Sequence, residues 1–77
     1  MDEKVIKELL LRENETFRKL SQEHQKCEQE LAELRARQFL PETERLKEKE
    51  LKKKKLQLKD EMYRLIEEYR QRMRHDD

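Results

Sequence analysis

Residues 51–69, LKKKKLQLKDEMYRLIEEY, carry four consecutive lysines straight into a run of apolar residues at helical spacing. Leu51, Lys55, Leu58, Met62, Leu65 and Tyr69 follow one another at steps of three or four, so a helix through this stretch gathers them on one face. Only Lys55 of those six is charged, and the opposite face is heavily cationic. A helix with one apolar stripe in so polar a chain is built to dock on another helix, and the remaining sequence has to supply it.

Upstream, Phe17, Leu20, His24, Cys27, Leu31 and Leu34 are spaced 3-4-3-4-3, the alternation of coiled-coil seam positions. Read backwards, the same frame takes in Glu13, Leu10 and Ile6. Asp2 is a plausible cap ahead of this pattern. The spacing predicts a first helix over about residues 3–38, spanning roughly 50 Å at 1.5 Å per residue. Asn14 is the one candidate interruption, because it is able to cap a fresh helix starting at Glu15. With no glycine or proline to enforce a break there, the preferred reading is an exposed asparagine within one continuous helix.

The break is expected at Phe39-Leu40-Pro41. Proline lacks the amide hydrogen and clashes with a preceding helical turn, yet it fits the first turn of a new helix. Glu42 and Glu44 then stand where the helix dipole favours negative charge. Continuing the first frame past Pro41 would put Arg45, Glu48, Lys52, Lys55 and Lys59 on the seam, which no apolar interface accepts. Restarting it gives the apolar row already described. A phase reset across a short connection predicts an antiparallel two-helix hairpin, coiled-coil-like, with the turn at about 39–41 and the second helix over about 42–74. Facing residue numbers then add to roughly 82. Leu31 is set opposite Leu51, Leu20 opposite Met62, Phe17 opposite Leu65, His24 beside Leu58, Cys27 beside Lys55 and Glu13 near the hydroxyl of Tyr69.

Composition agrees with long helices around a narrow seam. Of 77 residues, 51% are charged and 32% hydrophobic, too polar for an ordinary globular core, and glycine is absent. The length predicts a single domain over residues 1–77. No stretch approaches the roughly 20 apolar residues of a membrane span, and no secretory apolar region is expected. The lone Cys27 excludes an intrachain disulfide and suits a reducing, cytoplasmic compartment. Seven Glu-to-Lys or Glu-to-Arg pairs four residues apart favour solvated helices over disorder: Glu3–Lys7, Glu8–Arg12, Glu15–Lys19, Glu33–Arg37, Glu48–Lys52, Glu50–Lys54 and Glu68–Arg72.

Two helices share one seam, which is thin for a stable monomer. Leu9, Leu11, Leu46, Leu56, Tyr63 and Ile66 fall outside it or on its edge. They are expected to contact a second copy, giving a dimeric bundle of hairpins or a larger homo-oligomer. Scattered apolar surface residues are the bland alternative.

The net charge of +1 hides an uneven distribution, since Arg45–Lys59 holds eight basic side chains against two acidic ones. Arg45, Lys49, Lys52, Lys53, Lys54 and Lys59 are therefore candidate contacts for a polyanion, either nucleic acid or an anionic membrane surface. Four successive helical residues fan through about 300°, so the lysine run is not one tight stripe, and the stacking aromatics of a single-strand binder are missing beside it. The alternative is a solvated face neutralised by Glu48, Glu50 and nearby acids. His24 and Cys27, one turn apart, do not complete a metal sphere, and the other histidine, His75, sits at the chain's far end. They read as seam residues. Glu28, Glu30 and Glu33 read as solvated surface. No catalytic residue, metal or cofactor is expected.

ENETFRKLSQEHQKCEQEL, carrying Asn14, Phe17, Leu20, His24 and Leu31, followed by KKKKLQLKDEMYRLI with Lys59-Asp60-Glu61-Met62, resembles the small bacterial YdcH-like proteins across about residues 13–69. The resemblance implies a short helical hairpin with a Lys-rich second helix, a bacterial cytoplasmic setting, and no known activity. Two features depart from that pattern. FLPE stands where relatives often have a Gly- or Ser-bearing turn, and Glu15 stands where proline often follows the asparagine. The expectation that follows is a non-enzymatic structural or protein-interaction module that self-associates, with polyanion binding as the alternative.

Overall fold

The computed structural model describes residues 2–75 and contains three helices: α1 (Glu3–Glu13), α2 (Glu15–Arg35) and α3 (Glu42–His75). The fold is all-α, and no strand occurs among the described residues. The expected count of two helices is corrected to three. Asn14 is extended (φ −115°, ψ 110°) and divides the first helix.

Local chemistry closes both helix ends at that corner. The Asn14 side chain accepts from the Phe17 amide at 2.9 Å, satisfying one of the open donors of α2. Its own amide bonds back to the Leu10 carbonyl at 2.8 Å. Arg18 then reaches across, its Nη1 donating to the carbonyls of Leu11 and Arg12 at 3.3 and 3.0 Å, which would otherwise be unpaired at the end of α1.

The break lets α1 turn back onto the other two helices. In a continuous helix Lys7 and His24 would stand about 25 Å apart. Here both line one small cavity, together with Lys59, Met62, Tyr63 and Ile66. The Lys7 ammonium lies over the Tyr63 ring at 6.0 Å from its centroid. Ile6, Leu10, Phe17 and Ile66 form a buried cluster, with Met62, Leu65 and Tyr69 packed against it. Glu13 is exposed. The backward frame that takes in Leu10 and Ile6 thus picks out residues of the buried cluster, which the break at Asn14 folds against Phe17 and Ile66.

α2 and α3 pack side by side with opposite directions. Lys55 pairs with Glu28 at 3.5 Å and Arg37 with Glu44 at 2.6 Å, residue numbers adding to 83 and 81. The connection is longer than expected. α2 stops at Arg35, where the Ala36 amide bonds to Ala32 and that of Arg37 to Leu34, so the chain reverses over residues 36–41. The carbonyl of Pro41 accepts from the amides of Glu44 and Arg45, both at 3.0 Å, and opens α3. Thirty-four helical residues make α3 about 50 Å long, which sets the 55 Å long axis of the molecule. Its 19 and 17 Å widths leave room for two helices at one end and three at the other.

Candidate interaction surface on the long helix

Of the eleven residues assigned to the seam, the structure buries Phe17, Cys27, Leu31, Leu34 and Leu58 and half-buries Leu20, His24, Leu51, Met62, Leu65 and Tyr69. Ile66 requires a correction. Expected outside the seam or on its edge, in contact with a second copy, it is 1% exposed, because α1 folds over it. A buried Ile66 makes no contact with a second copy.

The two residues that most resemble a reactive pair are held as structure. Cys27 is a buried free thiol in the groove between α2 and α3. The His24 ring places Nδ1 3.8 Å from a carboxylate oxygen of Glu28, which also holds Lys55, while Nε2 is buried without a hydrogen-bond partner. No group of three or more His, Cys, Asp or Glu side chains is placed to hold a metal among the described residues. The His75 side chain lies outside what is described. The cavity beneath His24 is about 90 Å³, and Met62 and Ile66 give it an apolar floor.

The exposed surface of α3 is more informative. Leu46 is 57% exposed, Leu56 54% and Tyr63 43%. They are ten and seven residues apart, both sums of helical steps of three and four, so they share one stripe. Lys49, Lys53 and Asp60 fill the intervening positions of that stripe, and all three are exposed. The sequence names Leu46, Leu56 and Tyr63 as second-copy contacts, but the lysine run hides that they share one row, whose signal is the 3-4-3-4-3 spacing of Leu46, Lys49, Lys53, Leu56, Asp60 and Tyr63. Of the other apolar candidates, Leu11 on α1 is 40% exposed and Leu9 is half-buried.

The cationic candidates Arg45, Lys49, Lys52, Lys53, Lys54 and Lys59 are all exposed. Arg45 is partly committed to the connection, its Nε donating to the Leu40 carbonyl at 3.2 Å. Lys55 turns inward to Glu28 and leaves the outer patch. Glu44 holds the Arg37 guanidinium above its ordinary pKa, first through the hydrogen bond and then through its charge. Of the seven expected i,i+4 pairs, Glu3–Lys7 and Glu15–Lys19 approach to 3.8 and 3.6 Å.

These features define a small all-α protein whose distinctive chemistry lies on a helix surface and not in an enclosed pocket. The chain belongs to the family described as "Protein of unknown function (DUF465)", whose profile matches residues 17–66. The resemblance to YdcH-like proteins is consistent with that membership. The match runs from Phe17 in α2 to Ile66 in α3 and leaves α1 outside. No curated protein and no solved structure matches the chain. No helix among the described residues is long and apolar enough to cross a membrane.

Proposed function

We propose that this chain is a non-enzymatic interaction module that self-associates through the outer face of α3, with the antiparallel α2–α3 pair as its coiled-coil-like structural unit. The observation that carries the reading is the row of Leu46, Leu56 and Tyr63, which remain between 43% and 57% exposed. Each such side chain gains roughly 25 cal/mol for every Å² removed from water, so covering the row with a second copy contributes favourably to association. The bacterial cytoplasm is the setting implied by the family resemblance, and the single buried thiol of Cys27 suits it.

Light scattering after size fractionation, at low and moderate salt, tests this reading. The expected result is a discrete dimer or larger species at both salts, shifted toward monomer by Leu56→Lys. A monomer at tens of micromolar with full helicity rejects it.

The exposure of Lys52, Lys53 and Lys54 favours a second reading, contact with a polyanion such as nucleic acid or an anionic membrane surface. It requires binding that weakens steeply with salt and disappears when Lys52–Lys54 become glutamines. The absence of binding at low salt excludes it.

A further inference from the structure

We propose that the outer face of α3 over residues 45–59 docks on a bilayer surface containing anionic lipid, with Leu56 entering the headgroup boundary and the five cations around it meeting the lipid phosphates. This rests on the polyanion reading above and names its partner, the binding face and the side chain at its centre.

The face follows from helical geometry. At about 100° per residue, Arg45, Lys49, Lys52, Lys53 and Lys59 all fall within about 60° of Leu56 around the axis of α3. No other residue between Thr43 and Lys59 shares that arc. A patch about 21 Å long therefore holds five cations, one leucine and no acid. All six side chains are exposed, and Leu56 keeps 54% of its surface. None of the five cations has an ion-pair partner among the described residues, whereas Lys55, off the arc, is turned to Glu28 of α2. The seam residues Leu51 and Leu58 lie about 140° and 160° round the helix from Leu56, so α2 stands behind the face. The nearest acid alongside is Glu48, about 80° from Leu56, while Glu42 and Asp60 close the patch at its two ends.

The leucine at the centre decides the class of partner. A nucleic acid backbone satisfies the cations but sets Leu56 against phosphate and sugar. At a bilayer the whole patch is matched. Leu56 enters the boundary between headgroups and acyl chains, and the lysine stems lie along that boundary while their ammonium groups stay among the phosphates. Tyr63 lies about 20° from Leu56 and two turns further on, 43% exposed, with the amphipathic ring that suits this depth. Each cation near an anionic surface strengthens binding roughly fivefold, and the attraction fades beyond about 8 Å at physiological salt. The helix is already folded along α2, so docking carries no cost of helix formation. Leu56 and Tyr63 also belong to the row assigned to self-association, so any one copy uses them either against lipid or against a second copy.

Flotation of the full chain with vesicles at low salt is the test. Binding to mixed phosphatidylcholine and phosphatidylglycerol vesicles, and not to phosphatidylcholine alone, is expected. Lys49→Gln/Lys53→Gln takes two charges from the face and is expected to weaken that binding about twenty-fivefold. Lys47→Gln/Lys54→Gln takes the same charge from positions about 160–180° round the helix from Leu56 and is expected to stay within about threefold of the wild type. Leu56→Ser leaves the charge unaltered and is expected to weaken vesicle binding about fivefold. All five positions are exposed, so circular dichroism should show unchanged helicity. Equal losses for the two lysine pairs would mean attraction by overall charge and would overturn the assigned face. If duplex DNA binds as tightly at the same salt and Leu56→Ser leaves vesicle binding unchanged, the bilayer is the wrong partner while the polyanion reading stands. If neither vesicles nor DNA bind, both fail.

Discussion

At residue 14 one asparagine decides between a helix continued and a helix turned back. Its carboxamide oxygen holds the Phe17 amide at 2.9 Å, and Arg18 closes the carbonyls on the other side. Asn14→Ala removes the cap and is expected to cost about 1 kcal/mol in urea unfolding, whereas Asn14→Asp or Asn14→Ser should cost little. An alanine variant as stable as the wild type would mean that packing alone holds the corner. The capacity of Asn14 to cap was legible in the sequence. Its use was not, because asparagine is tolerated in a helix at a few tenths of a kcal/mol and nothing local forces the break. Ile66 was misplaced for the same reason. The helix that buries it is covalently remote, and only the corner brings Ile6 and Leu10 over it.

At the scale of elements, the three helices differ in what sustains them. α3 is opened by Pro41 and held along its length by the seam with α2, both read directly from residue type and spacing. α1 has eleven residues, too few for an independent helix in water, so it depends on Ile6 and Leu10 being buried. Ile6 is 0% exposed, and Ile6→Asp would bury a carboxylate among apolar side chains. The expected outcome is release of α1: amide exchange over residues 3–13 becomes fast while the amides around Leu31, Leu34 and Leu58 stay protected. Equal loss of protection in all three helices would show instead that α1 is required for the α2–α3 pair to hold.

For the whole molecule, a 55 Å body only 19 by 17 Å in cross-section has little interior, and its largest fully buried side chains are Phe17, Ile6, Leu31 and Ile66. Small cores of this kind give marginal stability. A partner that binds only the folded state adds to it by mass action, so a self-associating chain should melt at a temperature that rises with protein concentration. A midpoint independent of concentration would mean that three helices are sufficient alone. The sequence by itself determined that the chain is helical, where the long helix starts, and which side chains of α2 and α3 share a face. Those features follow from residue periodicity, proline geometry and charge, all of which act within a few turns of the chain. Only the tertiary structure decided that the first helix is divided and folded back. The local cost of breaking at Asn14 is small, and the gain, burial of Ile6 and Leu10 against Phe17 and Ile66, exists only once Ile6 and Leu10 have met Ile66 from the far end of the chain.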